Sequence, residues 1–263
     1  MQQLQTDVRS NQARTLLPRM LPALAGASRD AAGERSRELL DGWARDPEQA
    51  ASAAAPLIFE QWYIELADAV FEPVLGNEVH QRLKGASYVL NHALDSLLML
   101  AEDDRLARFW WQGRREQILA GSFDAALATL RARLGDDLSG WRWEALHQLH
   151  FEHMLGDAAP LLDRLFNRGP FPWGGGNVTV GRARYGYNEP FAARAGANFR
   201  MVTELSQPIR ARAVVPGGQA GHPLSPHYDD QLPGFLAGEL YPLADSPEAI
   251  GAPRTRLEPA AQR

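Results

Sequence analysis

The sequence predicts an α+β fold in which a mainly helical region precedes a cluster of strands. Apolar residues recur at helical spacing through the first two-thirds of the chain, whereas residues 209–215 alternate like a strand with one buried face. Helices come first and strands follow, without the alternation of βαβ units, which favours α+β packing. The predicted regions are residues 1–168, mainly helical, residues 169–245, with strands and a polar loop, and residues 246–263, a polar tail.

Composition and charge exclude several classes of function. The 263 residues are 45% hydrophobic, which suffices for one large domain or two small ones. The net charge of −5 argues against a general binder of nucleic acid or of an anionic membrane. No apolar run approaches the ~18 residues of a membrane helix. Cysteine is absent, which excludes disulfides and a thiol nucleophile, and the first residues do not read as a signal peptide.

Prolines and glycines divide the helical region. Asp7 is the expected N-cap of the first helix, which Pro18 and Pro22 should kink or divide into two short pieces. A longer helix is expected to open at Asp46-Pro47-Glu48, because proline suits the first turn and acids suit the positive end of the dipole. Ser122 is the expected cap of the last helix of this region. The predicted helices cover residues 7–24, 36–44, 46 to about 73, 79–100, 106–119 and 122–134.

Strands are predicted in the last third of the chain. They are Val178–Val180, Phe199–Leu205 and Ile209–Val215. The link of residues 206–208 between the last two is short enough for a hairpin. A helix or helical turn is expected between Leu232 and Leu243.

Three groups of side chains in the helical region are interpreted as structural. His147, His150 and His153 are spaced three apart, but on one straight helix the outer pair would lie about 120° apart, so no metal site is predicted. Trp110-Trp111 is expected in the core and at its rim. The arginines on either side of this pair are most simply a solvated face, with an anion site as the alternative; they are Arg105, Arg108, Arg114 and Arg115.

The glycine triplet of residues 174–176 is a weak candidate for phosphate binding. Its backbone N–H groups could cradle an anion. The Gly-Lys-Ser/Thr step of a P-loop is missing, and the triplet precedes a predicted strand rather than a helix. A phosphate site is therefore not expected.

The polar loop of residues 216–231 contains the residue types of a hydrolytic triad, Ser225, His227 and Asp229. Residues two apart seldom reach each other in acid-base geometry, and the Gly-x-Ser-x-Gly context is missing. A closed structural network with Gln219, His227 and Asp230 is favoured. If the loop is structural, His227→Ala in a reconstituted full-length enzyme should cost roughly 1–3 kcal/mol of stability, the usual cost of leaving a buried polar partner unpaired.

This loop carries a family resemblance. Residues 218–231, Gly-Gln-Ala-Gly-His-Pro-Leu-Ser-Pro-His-Tyr-Asp-Asp-Gln, resemble the C-terminal signature of penicillin acylases, which are N-terminal-nucleophile amidohydrolases. Ala220 stands where the family has Ser. Further segments resemble family motifs in family order, with Glu144 and Met154 in place of Gly and Pro; they are residues 4–18, 143–156, 174–180 and 196–205.

The resemblance implies a fold and an activity. The strands would belong to an N-terminal-nucleophile αββα sandwich, incomplete here, and all regions to one larger acylase β-subunit. The family cleaves the amide of an acylated amine, such as a β-lactam side chain or an acyl-homoserine lactone, through an acyl-enzyme. Its nucleophile, a serine at the N-terminus of the mature β-subunit, and its oxyanion groups would lie upstream of Met1. This chain would then be a C-terminal fragment, inactive alone.

The resemblance also implies partners and a compartment. The partners would be the upstream β-subunit segment, the α-subunit and a small acylated amine. No cofactor is expected in this chain, since a family calcium site would lie upstream. The compartment would be periplasmic or extracellular. The rival interpretation is a non-catalytic remnant, a helical protein that binds a partner subunit.

Glu204 is the one candidate catalytic residue, with an accessory role. It occupies the Asp/Glu place of the strand motif in residues 196–205. In cephalosporin-acylase-like members of the family, an acid on the equivalent strand orients the active-site histidine. The alternative is a structural ion pair with Arg200 or Arg210.

Overall fold

The computed structural model describes residues 1–26, 29–206 and 209–244. The chain forms two compact units: a larger unit of residues 6–196, and a smaller unit of residues 1–5 together with the residues from 197 onward. The division predicted from the sequence, with boundaries at residues 168 and 245, stays a prediction. The tail of residues 246–263 and the link residues 207–208 lie outside the described residues.

Helices precede most of the strands, which confirms the predicted α+β class. The helices are α1 Gln2–Gln5, α2 Asn11–Met20, α3 Ala31–Trp43, α4 Ala55–Leu75, α5 Asn77–Gly85, α6 Ser87–Met99, α7 Arg105–Trp111, α8 Arg115–Leu134, α9 Trp143–Leu146, α10 Pro160–Phe166 and α11 Leu232–Ala237. The strands are β1 Gln148–Phe151, β2 Arg168–Pro172, β3 Ala183–Arg184, β4 Ala192–Ala193, β5 Ala195–Gly196, β6 Arg200–Glu204, β7 Arg210–Val214 and β8 Tyr241–Pro242.

Helix α4 is the central helix of the larger unit. It is apolar nearly all round, so it is buried rather than amphipathic, and it packs most extensively against α8. Trp62 of α4 meets Phe123 of α8 edge-on, with ring centroids 5.0 Å apart. The Trp62 Nε1–H donates to the Leu119 carbonyl at 3.0 Å. Trp111 lies in the same core and Trp110 packs against it, as predicted.

The first long helices begin later than the sequence predicts. Ser10, rather than Asp7, caps α2: its Oγ accepts from the Ala13 N–H at 3.1 Å. The prediction that Asp46-Pro47-Glu48 opens a helix was wrong, because this segment pairs with an earlier one. The Ser10 N–H donates to the Pro47 carbonyl at 2.8 Å, and α4 begins at Ala55.

Two predicted helices are broken, and one predicted cap is wrong. The backbone turns at Ala86 between α5 and α6, and at Gln112 and Gly113 between α7 and α8, where φ is 50° and 72°. Ser122 lies inside α8, and its Oγ donates to the Leu119 carbonyl at 3.0 Å. The predicted end of this helix at Gly135 is confirmed, with φ 82°.

The strands form small sheets. The larger unit has the orders β2-β1-β4 and β3-β5, and the smaller unit has β6-β7-β8. The predicted strands at 199–205 and 209–215 are confirmed as β6 and β7, an antiparallel pair. The strand predicted at Val178–Val180 is wrong, since this segment forms a turn. The predicted turn after Leu232 is α11, followed by β8.

None of the described helices combines the length and apolar character that crossing a bilayer requires.

Candidate functional site

Glu204 lies on an open face of the smaller unit's sheet. It is the last residue of β6 and stands directly opposite Arg210 of β7. Cross-strand partners point to the same face, so Glu204 shares its face with Arg210 and Arg212. The side chain is exposed. A groove of about 660 Å³ on this face is lined by β6, β7 and residues 242–244.

Of the two arginines considered as partners of Glu204, Arg200 is engaged elsewhere. Its Nη1 donates to the Phe235 carbonyl at 2.9 Å, and its guanidinium carbon lies 4.0 Å from the Phe235 ring centroid. Burial lowers the pKa of this guanidinium. Arg210 is the arginine that faces Glu204 across the strands. The accessory role of Glu204 stays a prediction.

The polar loop is held by its own hydrogen bonds. The Val215 N–H donates to Gln231 Oε1 at 3.1 Å, and the Ala220 N–H donates to the His227 carbonyl at 3.0 Å. His227 Nδ1 lies 2.8 Å from Asp230 Oδ2. The local network is therefore present, but Gln231 takes the place predicted for Gln219, whose side chain is exposed.

The loop does not assemble a triad. Ser225 Oγ accepts a hydrogen bond from the backbone N–H of His227 at 3.2 Å. The imidazole of His227 pairs with Asp230, one residue beyond Asp229. Serine and imidazole are thus not in acid-base contact, as the spacing predicted.

The three spaced histidines are dispersed, because the helix on which they were placed is short. α9 ends at Leu146 and β1 follows. His147 is buried, with Nδ1 3.0 Å from the Phe191 carbonyl and its ring stacked on Trp143 at 4.3 Å. His153 stacks on Phe166, with ring centroids 4.6 Å apart. In the described part of the chain, no three His, Cys, Asp or Glu side chains converge as a metal site.

The glycine triplet uses its N–H groups internally. The Gly175 N–H donates to the Gln49 carbonyl at 2.8 Å, and the Gly176 N–H donates to Thr179 Oγ1 at 3.0 Å. A Cβ on Gly174 would lie 2.9 Å from the Gln49 carbonyl oxygen. The glycines are therefore needed for close approach of two backbone segments.

The glycine triplet and the segment around Trp143 belong to the residues that carry the family resemblance. The sequence profile of the penicillin amidase family matches residues 1–252, nearly the whole chain.

The chain belongs to the penicillin amidase family.

Named relatives agree with this membership. The acyl-homoserine lactone acylase QuiP of Pseudomonas aeruginosa is 27% identical across 93% of this chain and 31% of its own length. The penicillin acylase 2 proenzyme of a Pseudomonas species is 31% identical across 50% of this chain and 17% of its own length. This chain therefore spans about a third of the length of the QuiP acylase.

A solved structure shares the fold. The thermostable penicillin G acylase from Alcaligenes faecalis superposes with a TM-score of 0.61 at 16% identity, covering 98% of this chain and 48% of that chain. The likeness confirms the predicted fold class, an α+β chain whose strands belong to an N-terminal-nucleophile hydrolase fold.

The penicillin amidase motifs of the larger unit meet at the entry to α4. The Trp143 Nε1–H donates to the Gly175 carbonyl at 2.7 Å, and its backbone N–H donates to the Ala53 carbonyl at 2.8 Å. Together with the bond from Gly175 to Gln49, these contacts join both motifs to the segment that leads into α4. These residues have a structural role in positioning that helix.

Sequence reasoning missed a buried carboxyl beside these motifs. Glu60 of α4 accepts from Gln49 Nε2 at 2.6 Å and from the Tyr185 hydroxyl at 2.8 Å. Desolvation outweighs both hydrogen bonds and raises the pKa of Glu60 to about 7. The signal was present: Glu60 interrupts the apolar run of residues 57–64.

Further buried polar groups link other helices. Asp95 accepts from the Tyr63 hydroxyl at 2.6 Å and from Gln12 Nε2 at 2.8 Å, and burial raises the pKa of Asp95. Tyr187 donates to Asn91 Oδ1 at 2.7 Å. Because these groups hydrogen-bond to one another inside the core, we interpret them as structural.

Proposed function

We propose that this chain forms the C-terminal part of the β-subunit of a penicillin acylase-type amidohydrolase. The class rests on family membership and on the names of its relatives. One observation carries the finer assignment: 93% of this chain aligns with only 31% of an acyl-homoserine lactone acylase. Most of such an enzyme lies outside the matched segment, which leaves room there for the reaction centre.

In the proposed reaction, an upstream serine attacks the amide carbonyl of the substrate. The α-amine of that serine takes its proton, and hydrogen-bond donors stabilise the oxyanion. The amine then leaves with a proton, an acyl–serine ester remains, and water releases the acid. We favour an acyl-homoserine lactone over a β-lactam side chain as the substrate type, because QuiP relatives match over most of this chain.

Within this chain, we assign a scaffold role to the polar loop and an accessory role to Glu204. The loop's His227 is already paired with Asp230. Glu204 is exposed on the groove face of β6, where a histidine from the upstream segment can be oriented by it.

The proposal includes partners and a compartment. The upstream β-subunit segment and the α-subunit are the protein partners. Any calcium ion of the intact enzyme is assigned to the upstream part. The compartment is periplasmic or extracellular.

The purified chain should hydrolyse no amide by itself. Suitable substrates are a phenylacetyl anilide, a glutaryl anilide and a long-chain acyl-homoserine lactone, each assayed by amine release. The reason is that the proposal assigns the nucleophile to the upstream segment, and without it the covalent step has no acceptor. Turnover that survives both Ser225→Ala and Ser122→Ala would contradict the proposal. Turnover abolished by Ser225→Ala alone would move the site into the polar loop.

The rival function is a non-catalytic protein that binds a partner subunit. One observation favours it: residues 6–196 enclose a continuous core of their own around α4. The DNA upstream of Met1 distinguishes the two. A continuous frame that encodes a Gly-Ser step and an asparagine segment supports the amidohydrolase, whereas a stop codon and a ribosome site support the rival.

A further inference from the structure

We propose that β6 pairs edge to edge with β6 of a second copy of this chain, so that two three-stranded sheets join into one. In the described part of the chain, β6 is an outer strand of the order β6-β7-β8. The outer edge of such a strand carries N–H and C=O groups with which another chain can pair. This contact belongs to the 263-residue chain by itself and does not rest on the proposed amide hydrolysis.

The pairing within the sheet shows which backbone groups of β6 face outward. The Leu243 N–H donates to the Ala211 carbonyl at 2.8 Å, so the odd-numbered residues of β7 face β8. The even-numbered residues of β7 therefore face β6, and their partners are the even-numbered residues of β6. It follows that Met201 and Thr203 direct their backbone groups away from the sheet.

Helix α1 occupies one position on this edge and leaves the rest open. Gln5 Nε2 donates to the Met201 carbonyl at 2.9 Å, as expected if this carbonyl points outward. Beyond the ladder with β7, no described residue bonds to the backbone of Thr203. Both Thr203 and Leu205 are exposed. The open part of the edge is therefore centred on Thr203.

One register of self-pairing fits this edge best. A two-fold axis normal to the sheet places residues of the same face opposite each other, which allows an axis at residue 202, 203 or 204. An axis at Glu204 would place two carboxylates opposite each other, which is unfavourable. An axis at Val202 would need the Met201 carbonyl, which Gln5 already occupies, in every pair of bonds. With the axis at Thr203, each copy donates its Thr203 N–H to the Thr203 carbonyl of the other copy.

This register also joins exposed apolar side chains on one face of the sheet. Met201, which is 45% exposed, lies opposite Leu205 of the second copy, which is 85% exposed. The register of β6 with β7 places Ile209, 53% exposed, on the far side of Leu205. The two-fold axis repeats this row of three apolar side chains. The contact therefore removes apolar surface of both copies from water.

Charges on the other face are compatible with the same register. Glu204 lies opposite Val202 of the second copy, and Arg212 follows Val202 in the same row. Acid and arginine of different copies are then two strands apart, roughly 10 Å. At that distance they attract each other weakly through solvent, and neither charge is buried.

The contact is small, so we expect weak association. β6 has five residues, and Gln5 occupies one outward carbonyl in each copy. Interfaces below ~1,200 Å² are typical of transient complexes. We expect a dissociation constant on the order of 10–100 μM, so that the chain is a monomer at about 1 μM and below.

Introduced cysteines test the register, because the chain has no cysteine of its own. Thr203→Cys should form a disulfide-linked dimer on mild oxidation at about 100 μM, since residues opposite each other across the axis are within disulfide reach. Leu224→Cys, at an exposed position of the polar loop, is the matched control and should link at least about tenfold more slowly. A mixture of Met201→Cys and Leu205→Cys should link faster than either variant alone.

Sedimentation velocity tests the backbone pairing. Thr203→Pro removes an outward N–H without removing a bond to β7, so it should abolish the dimer at about 100 μM. Thr203→Val keeps the N–H and the branched side chain, and it should dimerise like the parent chain.

Several results would overturn the proposal. A chain that stays monomeric at about 500 μM would assign this edge to a different polypeptide. A dimer that Thr203→Pro and Thr203→Val form equally would lie elsewhere on the chain. Equal linking rates for Thr203→Cys and Leu224→Cys would exclude the axis at residue 203. If Thr203→Pro does not fold, the cysteine variants decide, because they keep every backbone donor.

Discussion

Two buried ionisable side chains, Glu60 and His147, are shifted in opposite directions by the same cause. Burial raises the pKa of Glu60 to about 7 and lowers the pKa of His147 to about 4. In both cases the interior favours the neutral form. Glu60 therefore contributes stability below pH 4.5 that is lost as pH rises through about 7. His147 contributes stability above pH 6.5 that is lost as pH falls through about 4.

The two contributions should offset each other between about pH 4.5 and 6.5. A variant that lacks one of the two groups should therefore show the pH dependence of stability that the other group causes. Each shift corresponds to roughly 3 kcal/mol. Relative to the parent chain, Glu60→Gln should gain stability as pH rises, and His147→Gln should lose it. Urea unfolding followed by tryptophan fluorescence at several pH values measures both slopes. If neither variant changes the slope of the parent chain, burial does not set these two pKa values.

The pair of His227 and Asp230 should contribute less to the free energy of unfolding than the sequence suggests. Both side chains are largely exposed, at 59% and 40%, so no buried partner is stranded when one is removed. His227→Ala should change the free energy of unfolding by less than about 1 kcal/mol, and Asp230→Ala should match it. Chemical denaturation of the single and double variants tests this. A cost of several kcal/mol would show that the loop is buried in solution.

Two glycines, one inside a helix and one in an irregular segment, give opposite predictions. Gly121 lies in α8 with open space around its Cα, so Gly121→Ala should stabilise the chain by roughly 0.5–1 kcal/mol. Gly175 has φ 74°, and a Cβ there would overlap the Gly181 carbonyl. Gly175→Ala should cost more than about 2 kcal/mol. Thermal unfolding of both variants measures the contrast, and equal effects would mean that the glycine turn can relax.

Local patterns predicted some elements and missed others for identifiable reasons. The alternation of residues 209–215 was sufficient for β7, because Ala211 and Ala213 on one face are more buried than Arg210 and Arg212 on the other. Val214 departs from the alternation, since it is buried as well. The start of α4 was missed because Pro47 pairs with Ser10, a contact between segments distant in sequence. The turn at residues 178–180 was read as a strand because valines favour strands, whereas the neighbouring glycines fix a turn.

The candidate site was predictable only in part. The sequence placed Glu204 on a strand, and the structure agrees, but its exposure depends on how β6 packs. Glu60 itself could have been noticed in its apolar run, but its partners could not be predicted, because Gln49 and Tyr185 lie 11 and 125 residues away in the chain. No periodicity encodes such pairs.

At the scale of the whole molecule, the two units differ in how completely their apolar residues are buried. In the smaller unit, several large apolar side chains are more than 45% exposed, among them Phe199, Leu205, Ile209 and Leu243. Its buried hydrophobic residues are few; among the described residues they are Ala213, Val214, Leu232 and Phe235. This imbalance is typical of a surface that another polypeptide covers.

The isolated chain should therefore bind a hydrophobic dye through the smaller unit. Leu205→Ser should reduce dye binding, whereas Leu161→Ser, at a position of the larger unit that is also strongly exposed, should not. Hydrogen exchange should be fast in β6 and β7 and slow in α4 and α8. Uniform protection with no dye binding would mean that the smaller unit is complete by itself.

Covalent labelling tests the central claim, that this chain supplies scaffold and not the nucleophile, most directly. The chain is incubated with an acylating ester or a sulfonyl fluoride, digested, and mapped by mass spectrometry. The account predicts no acyl or sulfonyl group on any serine of the 263 residues. A stoichiometric label on Ser225, or on any other serine of this chain, would contradict it.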